Sequence, residues 1–228
     1  MLKLPEETRY RQLPNHVQLQ LEPFSILNIK PFIFGFTFIL LDAIILVPLL
    51  VPRIEALLFI TLPLIGFVNI WALALLFRKP YKTELESLLF LGFLGGVGAI
   101  SYFILFLKYS FMAGINTWIF YVIMTVIFLL IVYFFMKHQL IRYSKINKEP
   151  EKKTPNWHYK LLSIAAPVGY LLAQYIKDQP TEFVLCVMSL VFLYISIFYV
   201  SFLAKYLHKY LFIKKNKRLV SLAKDYHN

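Results

Sequence analysis

A chain of 228 residues that is 59% hydrophobic, 18% aromatic and 16% charged, with a mean hydropathy of +0.66, exceeds what a water-soluble domain can bury, since ordinary globular chains carry about 25% charged residues. The formal net charge of +12 does not mark a nucleic-acid surface, because the basic residues cluster between long uncharged runs, where Lys and Arg set membrane orientation. One cysteine, Cys186, excludes an internal disulfide and a multi-cysteine zinc site.

The first 30 residues are polar and include Glu6, Glu7 and Glu22. No short apolar stretch close behind the start resembles a signal peptide, so the first apolar run is expected to stay uncleaved. Within this segment Val17 to Glu22 alternates apolar and polar, the pattern of a short strand or an interfacial segment. Apolar runs then follow at 31–51, 54–77, 88–107, 111–136, 161–176 and 183–204. About 20 residues cross about 30 Å of hydrocarbon, so the pattern predicts an all-α polytopic membrane protein with six transmembrane helices. The fifth run is short and crosses with snorkelling of Lys160 and Lys177.

Of the 24 Lys and Arg, 21 fall in 1–30, 78–87, 137–160 and 205–228, leaving Arg53, Lys108 and Lys177 for the alternate connections. The positive-inside rule therefore predicts both termini in the cytoplasm, in a bacterial cell membrane. The division that follows is a cytoplasmic segment 1–30, four helices in 31–136, a basic cytoplasmic loop 137–160, two helices in 161–204 and a basic amphipathic tail 205–228. The outer connections are too short for an external domain, and Arg53, Glu55, Lys108, Lys177, Asp178 and Glu182 are expected there as solvated anchors. The tail alternates basic residues with Tyr206, Leu207, Tyr210, Leu211 and Phe212, as an interfacial helix held by anionic lipid does. The loop reads as a flexible connector between the fourth and fifth helices; counted in threes, the six spans make two halves. Pro63 with Gly66 and Pro167 with Gly169 interrupt the middle helix of each half at comparable places, but nothing else aligns the halves as an inverted repeat.

Asp42 is the sharpest single signal, an acid 11 residues beyond Pro31 and so near the middle of the first run. A carboxyl there costs about 2.5 to 3.5 kcal/mol on insertion scales, and such residues face a bundle interior or an aqueous cavity and bind cations or relay protons. Without a neighbouring embedded cation it is expected to be neutral, since burial disfavours the charged form. Its other reading is a hydrogen-bonding fastener between helices, with Asn69, Ser101, Thr125 or Gln174 as partner. In the third run Gly92, Gly95, Gly96 and Ala99 make a small-residue face for close helix packing. These glycines cannot bind phosphate, because neither a preceding strand nor a following Lys-Ser or Lys-Thr pair accompanies them.

The histidines His16, His138, His158, His208 and His227 all fall at the cytoplasmic side, and a metal site among His138, His158 and His208 is geometrically conceivable but disfavoured. There is no His-Glu-x-x-His helix and no Gly-x-Ser-x-Gly elbow. No catalytic residue, cofactor or metal is expected. The sequence reads best as a non-enzymatic membrane subunit of a secretion, transport or toxin-immunity assembly, meeting protein partners or further copies of itself through its basic inner face. The alternative is a small transporter or channel with Asp42 as a proton or cation site.

Overall fold

The computed structural model describes residues 4, 10, 13–143 and 179–220. All regular structure among them is helical, and five helices are long and apolar enough to cross a membrane, the architecture of a multi-pass integral membrane protein. The fifth apolar run, 161–176, lies outside the described residues, and with it Gln174, Pro167 and Gly169.

A short helix α1 (Asn15–Leu21) precedes the bundle. Val17, Gln20 and Leu21 are its buried residues, the i, i+3, i+4 spacing of one helical face, so the alternation in 17–22 resolves as a helix and not as a strand. The first long helix, α2, runs in three parts: α-helical Ile26–Phe34, π-helical Gly35–Ala43 and α-helical Ile44–Leu50. Pro31 and Pro48 lie in its two outer parts, where each removes a backbone donor. Helix α3 (Glu55–Phe77) returns to the end where α1 lies, and α4 (Pro80–Met112) leaves it again. Pro80 stands at the first turn of α4, a position where the missing N–H is not needed.

Helix α4 continues past the expected boundary at Leu107, and Phe111 belongs to it instead of opening the next span. The cause is the turn that follows. Gly114 has φ +89°, a conformation open to glycine, and it donates to Phe111 O at 3.0 Å while Ile115 donates to Ser110 O at 3.1 Å, the paired bonds of a Schellman motif. Helix α5 (Trp118–Arg142) comes back, and α6 (Thr181–Lys215) closes the described fold.

Helix α4 is the core of the bundle: 72% of its apolar stretch is buried, against 6% for α5. Its main partner is α6, which runs antiparallel to it. Residue numbers fall on one as they rise on the other, through the contacts Gly92 with Leu207, Gly95 with Leu203 and Gly98 with Tyr199, then Ser196 Oγ to Ala99 O at 2.8 Å and Ser110 Oγ to Ser189 Oγ at 2.7 Å. The 35 residues of α6 span about 52 Å at 1.5 Å each. The helix therefore overruns the hydrocarbon, and the first part of the basic tail, residues 205–215, continues it without a break. Beyond it a single 3₁₀ turn covers Lys217–Leu219.

Candidate functional site

Asp42 sits in the π-helical part of α2, where wider turns are rare and concentrate at functional places. It is 9% exposed. Asn69 of α3 approaches its carboxyl, while Asp42 Oδ1 and Asn69 Oδ1 are both buried without a donor. On the opposite wall α4 supplies Tyr102, whose hydroxyl donates to Leu40 O at 2.5 Å, two residues before Asp42. The Tyr102 ring stacks on Tyr199 of α6 at 5.3 Å between centroids. The Tyr199 hydroxyl is buried with no partner.

Two more side chains share this condition. Thr37, five residues before Asp42 in the same π-helical part, and Ser101, next to Tyr102, are fully buried with unpartnered hydroxyls. Ser101 is seven residues, two helical turns, before Lys108, which binds the end of α2, so it stands on the α2-facing side of α4. Of the four partners expected for Asp42, Asn69 reaches it. Ser101 lies on the neighbouring face, Thr125 bonds Tyr121 O of its own helix at 2.8 Å, and Gln174 is outside the described residues.

Lys108 corrects the expected set of solvated outer anchors. It is 2% exposed, and its Nζ donates to Pro48 O at 2.6 Å and Leu49 O at 3.0 Å. These belong to the last turn of α2, whose carbonyls have no donor within the helix and whose dipole end is negative. The ammonium thus caps α2 from inside the protein. Arg53 and Glu55, by contrast, are exposed and form a 3.6 Å pair, and Glu182 is exposed as well.

The glycine face divides unequally. A Cβ on Gly95 would fall 2.5 Å from Leu203 N, and one on Gly92 would fall 3.2 Å from Leu207 N, so α6 backbone rests directly on these two. Gly96 lies beside the face, 3.7 Å from the tip of Leu203, and Ala99 contributes its carbonyl to Ser196. Gly98 is a further member, covered by the Tyr199 ring. It joins the glycine face to the Asp42 level, because the ring that fills its space is the one stacked on Tyr102.

A second built site occupies the end of the bundle that carries α1. Val17 and Leu21 pack with Leu4, Leu13 and Phe212 in a small core separate from that of the bundle. Gln20 Nε2 meets His208 Nδ1 at 3.0 Å, Asn216 Oδ1 accepts from Leu4 N at 2.8 Å, and Lys209 Nζ reaches Leu19 O at 3.3 Å. Tyr143, just past α5, stacks on His208 at 5.0 Å. Lys205, Lys214, Lys215, Lys217 and Arg218 point outward from this end. A buried acid, Glu84, lies nearby in the first turns of α4 with Thr83 and Ser87. The sequence does not single out Glu84, which precedes the apolar run among other polar residues.

His208 is thus held by α1. His16 is half-buried and His138 exposed, while His158 and His227 lie outside the described residues. No three His, Cys, Asp or Glu come together among the described residues. Cys186 is half-buried and unpaired. No protein-family model, no curated protein and no solved structure matches the chain.

Proposed function

We propose that this chain is a non-enzymatic subunit of a bacterial membrane assembly, in secretion, transport or toxin immunity, that docks a partner protein on its basic inner end. The supporting observation is that end itself. There α1 and the overrun of α6 build a packed, hydrogen-bonded platform with five outward cations, whereas the opposite end has the tight connections 51–54 and 113–117. Six crossings with cytoplasmic termini fit this reading. Tyr143 stands on His208 at the platform, α6 begins at the far end, and the basic residues favour the platform side as the cytoplasmic one.

The test is site-specific photocrosslinking in cells. A photoreactive residue at Lys215 or Lys217 should give a discrete protein adduct that disappears when the other three of Lys214, Lys215, Lys217 and Arg218 are changed to Glu, while the same residue at Glu55 should give none. Adducts equal at both ends, or unchanged by charge reversal, refute the docking reading. A small proton- or cation-coupled transporter or channel is the second reading, favoured by the unpartnered buried oxygen of Asp42.

A further inference from the structure

We propose that Asp42, Asn69 and Tyr199 form an exchangeable proton site inside the bundle, with the proton carried on the Asp42 carboxyl. The argument begins from unmet hydrogen bonds. Buried polar side chains almost always have partners, and each exception calls for one. Of the seven buried unpartnered side-chain atoms among the described residues, five belong to Thr37, Asp42, Asn69, Ser101 and Tyr199, on the four helices that surround one level of the bundle. Asp42 Oδ1 and Asn69 Oδ1 are both acceptors, so two oxygens that meet no donor sit on neighbouring side chains. One proton converts the first into a hydroxyl, which is a donor, and it removes a charge from a site with no counter-ion among the described residues. The other charged or titratable groups on the surrounding helices do not compensate Asp42. Tyr102 is engaged by Leu40 O, Lys108 by Pro48 O and Leu49 O, and Asn69, the group from α3, is neutral.

Exchange requires a route to the carboxyl, and of Thr37, Asp42, Ser101 and Tyr199 it is Asp42 that comes nearest the surface of the bundle, 9% exposed against 0%, 0% and 1% for the others. The step is simple in its balance. A proton from water adds to the carboxylate, and the acid returns it to water, with no other bond made or broken. The inference rests on the same carboxyl as the second reading above, but it holds whether or not anything is moved across the membrane.

The full chain in liposomes is treated with dicyclohexylcarbodiimide, which reacts with protonated carboxyls in apolar surroundings, and adducts are mapped by mass spectrometry. At neutral pH the adduct should form on Asp42. The infrared band of a buried protonated carboxyl should be present in the wild type and absent in Asp42→Asn. Asn69→Leu replaces the polar neighbour of the carboxyl with an apolar one and should raise the labelled fraction at alkaline pH roughly tenfold. Absence of both adduct and infrared band in the wild type overturns the proposal, and this arm needs no variant to fold. Suppression of labelling by sodium or potassium, but not by choline at equal ionic strength, assigns the site to an alkali cation and also overturns it. Failure of either kind leaves proton-independent transport, and the docking reading, to their own tests.

Discussion

Replacing Gly95 by Ala tests how tightly α4 and α6 are joined. The added methyl would stand 2.5 Å from Leu203 N, 2.8 Å from Leu203 Cα and 3.1 Å from its Cβ, and two of these three atoms are backbone, which no rotamer change can move. Ordinary contact begins near 3.4 Å, so α6 must retreat by about 1 Å. Ser196 Oγ to Ala99 O and Ser110 Oγ to Ser189 Oγ, at 2.8 Å and 2.7 Å, are strained by the same movement. Overpacking of this kind costs about 1 to 3 kcal/mol, and interhelical hydrogen bonds in membranes add about 0.6 kcal/mol each. Thermal or detergent-induced unfolding of the purified chain should register a loss in that range. Two controls sharpen it. Gly96→Ala meets the mobile tip of Leu203 at 3.7 Å, and Gly66→Ala meets nothing within 4 Å, so both should be neutral or gain up to about 1 kcal/mol from helix propensity. If Gly95→Ala melts with the wild type, or if the three substitutions behave alike, the backbone contact between α4 and α6 is refuted.

Lys108→Met should lower stability by about 1.5 to 3 kcal/mol, the contribution of hydrogen bonds to a charged group, with Arg53→Ala at the same end as a near-neutral reference in the same melting experiment. Gln20→Leu should free α1 from His208 and speed limited proteolysis within the first 25 residues, leaving the bundle fragment intact on a gel; an unchanged cleavage rate counts against the platform as a unit. For the orientation, single cysteines in a Cys186→Ser background should react with an impermeant maleimide from outside at Arg53 and only after lysis at Lys215. Labelling of Lys215 in intact cells overturns the cytoplasmic assignment.

The long apolar runs announce all five described spans, and two of them, 31–51 and 54–77, to within a few residues, because twenty successive apolar side chains have few alternatives to a membrane helix. Helix ends are less legible, since hydrogen bonding continues past the apolar stretch: α4 starts at Pro80, eight residues before the run, and its end depends on whether Gly114 adopts a left-handed turn. Lys108 illustrates a different limit. Its position at the edge of a run fits an anchor in water, and what turns it inward is the terminus of α2, which comes beside it through the packing of parallel helices far apart in sequence. The same holds for Asp42. Its depth is plain from counting, but the choice of Asn69 over Ser101 depends on the rotation of α3 and α4, and Tyr199 is invisible because an aromatic in a membrane helix carries no polar signal. Gly98 escapes a search for glycines four apart, since the face presented to α6 follows 92, 95 and 98.

The pairing of α4 with α6 has a consequence for how the protein is made. The carbonyl of Ala99 and its donor Ser196 are 97 residues apart, and chains are synthesised from the amino terminus, with each domain folding as its parts emerge. The glycine face of α4 therefore enters the membrane long before the helix that covers it has been translated, and the α1 platform likewise waits for Phe212 and Asn216. Until then α4 stands in the membrane without its main partner. Both cores close once α6 is in place, so a premature stop after α5 removes the partner that they share.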